Sequence, residues 1–454
     1  MTLTVDVSPQ PLSGWGRTTP TTTMVTRPID AQSIEAALHT HTGGVIARGL
    51  GRSYGDAAQC SGGLTIDLTG LDRIGAVDEE AGTIEVGGGA SLHDLMRTII
   101  PSGWFVAVTP GTRYVSVGGA IAADVHGKNH HRDGSFARHV VEMTLATPAG
   151  TFTVSPDNDA DLFWATAGGM GMTGVVVSAT LRLIPIETSW MLVDSERFRR
   201  LGDLMSTMEA TDHRYRYSVA WLDCLGHRND GHRSILTRGD HAPSGALPDR
   251  LRGRSREIPG DPRLRVPRSA PRRLVNRMSV RALNEAWFRA SSATEGSLRP
   301  LGGFFHPLDG VGRWNLLYGP DGFVQYQFAV APQRGDVVEE AVAAIASSGM
   351  PSFLAVLKRF GPGTPGPLSF SQEGWTLALD FPLGPPGLPA LLDDLDDLVA
   401  GAGGRVYLAK DARLRPDLLP VMYPRLAEMM AVCRRVDPEG VLASDLTRRL
   451  GLAR

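Results

Sequence analysis

The chain has 454 residues, of which 42% are hydrophobic and 21% are charged, so it is long enough for two or three folded domains and too apolar to be disordered. Its 46 basic and 48 acidic side chains leave a formal charge of -2, which provides no overall positive field for binding nucleic acid. The three cysteines lie far apart without a Cys-x-x-Cys pair, which argues against a disulfide framework or a thiolate metal site.

The sequence predicts neither a signal peptide nor a membrane-spanning helix. The N-terminus has no basic start followed by an apolar core, and no run of 18 apolar residues occurs anywhere in the chain. We therefore expect synthesis in the cytoplasm, with any membrane contact being peripheral.

The segment from Arg27 to about Pro185 alternates short β-type runs with glycines, which is typical of an α+β layout. Two short helices are predicted in it, over residues 33–41 and 91–100. Each begins with a serine, Ser33 or Ser91, whose side chain can accept hydrogen bonds from the free N–H groups of the first turn.

From about Glu187 to Gly404 the predicted elements are longer, and we interpret this part as a second domain. Its strands alternate like those of a half-buried antiparallel sheet, and they are predicted at residues 214–223, 322–330, 352–360 and 375–383. Helices are predicted at 337–349 and 388–403. The remaining segment, 405–454, is too short to fold alone, so we expect it to return to the first domain.

A strongly basic segment lies within the second domain. Residues 250–289 contain twelve arginines and three acidic residues, a local charge of +9. Prolines between residues 259 and 271 exclude a continuous helix through its first half. Two interpretations are open: a mobile, solvated insertion over about 250–282, or a docking segment for anionic lipid headgroups or a lipid-linked phosphate.

Lysine is rare in this chain. Only Lys128, Lys358 and Lys410 occur among the 46 basic residues. An ammonium group with an adjustable pKa cannot be replaced by a guanidinium group, so these positions are candidates for functional sites. For Lys410 the alternative is a surface ion pair with Asp411.

A glycine-rich turn follows a predicted strand between Ala47 and Ala57. Residues 49–55, Gly-Leu-Gly-Arg-Ser-Tyr-Gly, place three glycines in seven positions, so backbone N–H groups can converge on an anion. No long helix follows within a βαβ unit, which excludes the Rossmann dinucleotide motif. We interpret the turn as a phosphate cradle.

Two further glycine motifs accompany this turn. Residues 117–127 read Val-Gly-Gly-Ala-Ile-Ala-Ala-Asp-Val-His-Gly, and residues 164–175 form another glycine-rich stretch. Together the three motifs resemble the FAD-binding fold of the vanillyl-alcohol oxidase and p-cresol methylhydroxylase superfamily. The resemblance implies an α+β flavoprotein with an FAD-binding domain at 1–186, an antiparallel-sheet substrate-binding domain at 187–404 and a returning segment at 405–454.

The same resemblance implies how the cofactor is held. FAD is expected to be non-covalent, because Ser53 and Tyr54 stand where many members carry the histidine that tethers the flavin. The residues expected to bind it are Ala47, Arg48, Gly49, Leu50, Gly51, Arg52, Ser53, Tyr54, Gly55, Asp56, Ala57, Gly111, Ser116, Val117, Gly118, Gly119, Ala123, Asp124, Val125, His126, Val176 and Tyr407.

Four shorter motifs, at 51–56, 126–131, 323–328 and 407–411, are similar to those of the decaprenylphosphoryl-β-D-ribose 2′-oxidase family. That family oxidises the ribose 2′-hydroxyl of a polyprenyl-phosphate sugar, and an NADH-dependent keto-reductase partner completes the epimerisation to arabinose for cell-wall arabinan. The resemblance implies peripheral contact with the plasma membrane, with the periplasm as a second possible location. The electron acceptor is not identified, and a quinone is one candidate.

The expected catalytic residues are Lys410, His126 and Tyr54. Lys410 is expected to stabilise the reduced flavin or polarise the hydroxyl, either His126 or Lys410 is the base, and Tyr54 orders the flavin or joins a proton relay. The expected substrate-binding residues are Gln325, Lys358, Lys128, Phe305, Ala378 and Trp221. Among them, Gln325 is expected to reach sugar hydroxyls and Lys358 to contact the substrate phosphate. No metal site is predicted, because no acidic ligand accompanies the histidines that follow His126.

Two other functions remain open from the sequence. A soluble alditol or aldonolactone oxidase would share the fold, but an enzyme for an uncharged polyol needs no segment that docks anionic or lipid groups. A flavin-bearing scaffold at the membrane face would recruit partner enzymes without catalysing the oxidation itself.

Overall fold

A computed structural model describes residues 7–40, 43–225, 231–258, 260, 262, 264–267 and 274–453. Across these residues, helices pack on sheets of four, six and eight strands, and one short two-stranded sheet accompanies them. This arrangement confirms the predicted α+β class.

The first part of the chain forms two of the sheets. Its strands are β1 (Ser8–Leu12), β2 (Thr21–Thr26), β3 (Val45–Arg48), β4 (Leu64–Asp67), β5 (Ile74–Asp78), β6 (Thr83–Gly87), β7 (Trp104–Val106), β8 (Val140–Thr147), β9 (Gly150–Val154) and β10 (Val175–Pro185). Its helices are α1 (Ala31–Thr40), α2 (Leu92–Ile99), α3 (Val117–Ala122), α4 (His130–Asp133) and α5 (Ala160–Thr166). The sheets have the orders β1-β2-β4-β3 and β5-β6-β10-β8-β9, with β7 paired to β10.

The middle of the chain forms two sheets, the antiparallel eight-stranded sheet and the short two-stranded sheet. Its strands are β11 (Trp190–Phe198), β12 (Tyr217–Leu222), β13 (Ser234–His241), β14 (Leu264–Arg265), β15 (Thr294–Pro300), β16 (Val311–Gly312), β17 (Phe323–Val330), β18 (Ala355–Phe360), β19 (Gly374–Pro382) and β20 (Arg405–Val406). Its helices are α6 (Leu201–Thr211), α7 (Asp249–Arg252), α8 (Arg277–Ala290), α9 (Leu301–Phe305), α10 (Gly335–Ser348) and α11 (Leu388–Gly401). The order is β15-β11-β13-β12-β18-β19-β17-β20, while β14 pairs in parallel with β16.

The last segment carries α12 (Leu419–Met422), α13 (Leu426–Val436) and α14 (Asp445–Arg449) and packs on the first part of the chain. Val45 N donates to Val441 O at 2.8 Å, and Ala443 N donates to Val45 O at 3.0 Å. The division into FAD-binding domain, substrate-binding domain and returning segment remains our proposal, and these contacts support it.

One of the two predicted helix caps is corrected by the structure. Helix α1 begins at Ala31, and Asp30 Oδ1 caps it by accepting from Ser33 N at 2.8 Å, so Ser33 lies inside the first turn. Ser91 does cap α2, since its hydroxyl accepts from Asp94 N at 3.0 Å. An aspartate before the first turn satisfies the same free N–H groups as a serine, so sequence alone did not locate the cap.

Strands β17 and β19 are buried on both faces and are therefore not the half-buried strands that alternation predicts. Apolar residues of α10 and α11 belong to the same hydrophobic core as alternate residues of β17. The opposite face presents polar side chains such as Gln325 and Thr376, which are buried against the site described below. Polar residues facing a cavity produce the same alternation as polar residues facing solvent.

The predicted insertion at about 250–282 is described in part. Residues 259, 261, 263 and 268–273 lie outside the described residues, so the predicted mobility stays a prediction. Helix α8 begins at Arg277 within this segment, beyond its last proline, and Asn276 caps it by accepting from Met278 N and Ser279 N. No helix in the described ranges is long and apolar enough to cross a bilayer.

Candidate active site

A cavity of about 940 Å³ joins the glycine motifs to the eight-stranded sheet. This volume lies at the upper end of the ~300–1,000 Å³ that is typical of ligand pockets. Gly51 from the turn after β3, Gly118 from α3 and Lys410 from the segment after β20 all line it. Three stretches that are distant in the chain therefore meet at a single site.

Most of the residues proposed from the sequence line this cavity. Those proposed for the cofactor are Ala47, Gly49, Leu50, Gly51, Arg52, Ser53, Tyr54, Ala57, Gly111, Ser116, Gly118, Gly119, Ala123, Val125, His126, Val176 and Tyr407. Those proposed for the substrate are Gln325, Lys358, Lys128, Phe305, Ala378 and Trp221.

Five residues proposed for the cofactor are not part of the lining: Arg48, Gly55, Asp56, Val117 and Asp124. Two of their carboxylates bind other parts of the protein. Asp56 pairs with Arg449 at 2.8 Å, and Asp124 accepts from Ser135 Oγ at 2.8 Å. These contacts position the walls of the cavity.

The glycine turn lies directly against the start of α3. A Cβ atom at Gly49 would lie 1.8 Å from Ser116 Oγ, and Ser116 caps α3 by accepting from Gly119 N. Gly51 has a φ of 63°, a conformation that favours glycine. This part of the wall is therefore largely backbone, so a phosphate group can approach the N–H groups closely. The arrangement fits the pyrophosphate of a dinucleotide such as FAD.

The cavity has basic side chains and no acidic side chains among its described lining residues. All three lysines of the chain line it together with Arg52 and Arg299. Burial, together with the charge of Arg299, lowers the pKa of Lys128 to about 7. Such a site favours anionic ligands.

Lys410 faces this cavity, and the alternative of a surface ion pair with Asp411 is wrong. Asp411 Oδ2 pairs instead with Arg449 Nη2 at 2.9 Å, while Lys410 Nζ lies 5.6 Å from the centre of the Tyr54 ring. Burial lowers the pKa of Lys410 to about 8, although the charge of Asp380 acts in the opposite direction. Lys410 is therefore mainly a cation at neutral pH.

Four side chains form a hydrogen-bond chain in which the amide nitrogen of Gln327 donates to both of its neighbours. Thr376 Oγ1 donates to Phe328 O at 2.8 Å, so it accepts from Gln327 Nε2, which lies 2.9 Å away. The same amide nitrogen lies 3.0 Å from His126 Nε2, so this ring nitrogen accepts as well. A neutral His126 then carries its proton on Nδ1, 3.2 Å from Lys358 Nζ. Lys358 accepts this proton only as an uncharged amine.

The surroundings of both groups favour their uncharged forms. Burial, reinforced by neighbouring lysines, holds the pKa of His126 well below its usual value. Burial and the charges of Lys410 and Lys128 likewise hold the pKa of Lys358 well below 10.5. The cavity therefore favours the uncharged form of Lys358, whereas Lys410 is mainly a cation at neutral pH.

One polar side chain of the cavity lining, Gln325, is incompletely hydrogen bonded. Gln325 Nε2 donates to Asp380 Oδ1, while Gln325 Oε1 is buried with no hydrogen-bond partner within the described residues. Burial raises the pKa of Asp380 to about 6. Phe305 also lines the cavity and packs edge-on against Tyr217. An unsatisfied acceptor in such a pocket fits a ligand that carries hydroxyl groups.

Sequence reasoning missed several residues of the site. Gln327 shares the face of β17 that carries Gln325, so the two-residue period of a strand could have identified it. Asp380 likewise shares the face of β19 that carries Ala378. Arg299 and Trp287 carry no comparable signal, since nothing in their local sequence distinguishes them from other arginines or tryptophans. Among the described residues, no group of three or more His, Cys, Asp or Glu side chains is placed to hold a metal ion.

Comparison with known proteins identifies the first part of the chain with a protein family. Residues 23–155 match the FAD binding domain family. This range contains the glycine turn, the start of α3 and His126, all of which line the cavity.

Comparison with individual proteins covers nearly the whole chain. It is 41% identical over 448 residues to decaprenylphosphoryl-beta-D-ribose oxidase of Mycolicibacterium smegmatis, and the match spans 97% of each chain. An uncharacterised protein of Streptomyces coelicolor is 44% identical over 370 residues, which are 80% of this chain and 100% of that protein. L-gulono-1,4-lactone dehydrogenase of Mycobacterium tuberculosis is 23% identical over 434 residues, covering 89% of this chain and 90% of that enzyme.

Proposed function

The chain belongs to the decaprenylphosphoryl-β-D-ribose oxidase family, and from this premise we propose that it oxidises the 2′-hydroxyl of decaprenylphosphoryl-β-D-ribose to the 2′-ketone, with FAD as its cofactor. The observation that carries the proposal is the cavity, in which all three lysines meet the glycine turns. A phosphate-linked sugar and an anionic dinucleotide both complement this charge.

Individual residues of the cavity suit different parts of this substrate. Lys128 and Arg299 both line it, and we assign them to the phosphate because Arg299 supplies a permanent positive charge and Lys128 supplies N–H donors. Gln325 Oε1 is assigned to a sugar hydroxyl, since it is a buried acceptor without a partner in the described chain. Phe305 and Trp221 are assigned to the pocket wall.

Oxidation of a secondary alcohol removes a hydride from carbon and a proton from oxygen, and bound FAD supplies the acceptor for the hydride. We assign the hydroxyl proton to Lys358, because its surroundings favour the neutral amine and Nζ lies 3.2 Å from His126 Nδ1. The single lone pair of Nζ accepts the hydroxyl proton once its hydrogen bond from His126 Nδ1 has broken. His126 is then a positioning residue that orients Nζ, and Tyr54 orders the adjoining wall. Lys410 remains a cation and stabilises negative charge that develops in the site.

These assignments revise the roles expected from the sequence. His126 or Lys410 was the expected base, and Lys358 was expected to contact the substrate phosphate. Burial and the charges of Lys410 and Lys128 lower the pKa of Lys358 and so favour it as the base, because a neutral amine accepts a proton but contributes no charge to phosphate binding.

The finer properties expected of the family are also proposals. FAD is proposed to be non-covalent, because the turn from Ala47 to Ala57 contains no histidine. An NADH-dependent keto-reductase is proposed to consume the ketone, and an acceptor such as a quinone to reoxidise the cofactor. We propose peripheral residence at the plasma membrane, on its cytoplasmic or periplasmic side.

The alternative functions explain fewer of these observations. An alditol or aldonolactone oxidase would share the fold, as the 23% identity to the lactone dehydrogenase illustrates, but an uncharged substrate needs no cluster of lysines. A scaffold would not need a neutral lysine and a cationic lysine in the same cavity. Both alternatives make different predictions in the following experiment.

Anaerobic titration of the yellow holoenzyme with decaprenylphosphoryl-β-D-ribose is expected to bleach the flavin absorbance. The 2′-deoxyribose analogue, which lacks the reacting hydroxyl, is the matched control and is expected to leave the spectrum unchanged. Acid precipitation of the same protein is expected to release all of the FAD to the supernatant. Bleaching by an uncharged alditol alone would support the lactone-oxidase alternative, and no bleaching by any sugar would support the scaffold.

Gly49→Ala is expected to weaken FAD binding by roughly tenfold or more, because the new Cβ would displace the Ser116 hydroxyl, and losing a helix cap costs about 1 kcal/mol before the turn itself moves. The measurement is the dissociation constant of FAD for the apoprotein. Gly245→Ala is the matched control, since a Cβ there meets nothing within 4 Å and the residue does not line the cavity. Equal affinities of the two variants would contradict the assignment of this turn to the cofactor.

A further inference from the structure

Exposed apolar side chains are concentrated in one part of the described chain. Of the nine large hydrophobic side chains that are exposed there, five lie between residues 264 and 287. They are Leu264, Leu274, Met278, Leu283 and Trp287. Isolated exposed hydrophobic residues are ordinary, but such a concentration marks an interaction surface.

Helix α8 carries three of these side chains and has a distinct buried side. Val280, Asn284 and Phe288 are buried and attach the helix to the protein. A second side of the helix, which we call the apolar side of α8, is exposed. Its residues follow helical spacing and are Ala282, Leu283, Ala286, Trp287 and Ala290. Met278, in the first turn, is 83% exposed.

A mainly positive stripe flanks this apolar side of α8. Arg277, Arg281, Glu285 and Arg289 follow one another at intervals of four residues. The carboxylate of Glu285 is paired with Arg233 and with Arg289, each at 2.6 Å. The stripe therefore combines cationic side chains with one neutralised acid, within the 250–289 segment of charge +9.

The apolar side of α8 is continuous with the cavity. Leu283, Trp287 and Ala290 line the cavity and are also exposed on the surface of the helix. The helix therefore forms part of the cavity mouth, and a ligand that entered between these residues would pass along an apolar surface.

We propose that the apolar side of α8 docks on an anionic lipid bilayer and holds the mouth of the cavity at the bilayer surface. This inference rests on the proposed function and adds the surface through which a lipid-linked sugar enters. The apolar side chains enter the headgroup region, and the flanking arginines contact anionic headgroups. A long prenyl chain then remains in the bilayer while its phosphate and sugar reach the lysines. The arginine stripe favours this occupant over a second copy of the chain, because two such stripes would repel each other.

The test compares holoenzyme binding to vesicles of phosphatidylcholine with and without phosphatidylglycerol. We expect the double variant Met278→Asp, Ala282→Asp to bind the anionic vesicles at least tenfold more weakly than the unmodified protein. Neither residue lines the cavity. The matched control is Ile29→Asp, Val421→Asp, which adds the same charge at exposed apolar positions outside α8 and is expected to bind normally. Thermal unfolding and FAD content are measured for both variants to establish that they are folded.

Activity separates this inference from the proposed function. With a soluble short-chain prenylphosphoryl ribose, the α8 double variant is expected to keep its kcat/KM, whereas oxidation of the long-chain substrate in vesicles is expected to fall about tenfold. Undiminished vesicle binding, or equal binding to neutral and anionic vesicles, overturns the docking inference and leaves the proposed function intact. The inference is also overturned if the unmodified protein self-associates but does not bind vesicles, and the double variant no longer self-associates. That result would mean that the apolar side of α8 docks on a second copy of the chain. If the unmodified protein oxidises neither substrate, the proposed function is contradicted, whether or not the protein binds vesicles.

Discussion

Lys358→Arg is expected to abolish the oxidation as completely as Lys358→Met. The guanidinium group keeps the positive charge but does not release its proton, so it cannot act as a base. Loss of a general base lowers the rate by about 10²–10⁴-fold, and kcat should fall by this amount in both variants. The measurement is the rate of flavin bleaching after rapid mixing with a saturating concentration of substrate.

The pH dependence provides an independent readout for Lys358. A protonated amine cannot accept the hydroxyl proton, so the wild-type rate should fall as the pH drops through the lowered pKa of Lys358. This acid limb should be absent from the residual activity of Lys358→Met. Substantial recovery of activity in Lys358→Arg would contradict the assignment and would support the phosphate contact expected from the sequence.

Lys410→Met is expected to lower kcat by about 10²–10³-fold, the effect of removing one preorganised electrostatic partner of the transition state. Lys410→Arg is expected to retain most of the activity, because this position requires a cation and not a base. The two lysines should therefore respond oppositely to arginine. FAD content is measured in each variant, so that loss of chemistry is distinguished from loss of cofactor.

Lys410 should make the oxidation rate depend on pH in the opposite sense to Lys358. Burial lowers the pKa of this ammonium to about 8, so its charge is present below that pH and is lost as the pH rises through it. The wild-type rate should decline over that alkaline range, and Lys410→Arg should move the decline to higher pH. A Lys410→Met variant with full flavin content and an unchanged bleaching rate would remove Lys410 from the mechanism.

Local sequence determined the cofactor, the family and much of the cavity lining. The glycine turns are readable because a backbone wall that approaches phosphate closely requires glycine at particular positions, whatever surrounds it. The three lysines are readable because they stand out among 43 arginines. The family resemblance connected these segments to a flavoprotein. The 41% identity to decaprenylphosphoryl-beta-D-ribose oxidase over 97% of the chain agrees with it.

Only the tertiary structure decided how these residues divide the chemistry. Lys358 and Lys410 are equivalent in the sequence, but one accepts from His126 and the other lies near Tyr54 and is influenced by Asp380. The direction of the hydrogen-bond chain depends on Thr376 and Gln327, which come from different strands of the eight-stranded sheet. The placement of Leu283 and Trp287 at the cavity mouth likewise depends on how α8 packs. Protonation and access are set by neighbours brought together through space, so no local pattern in the chain determines them.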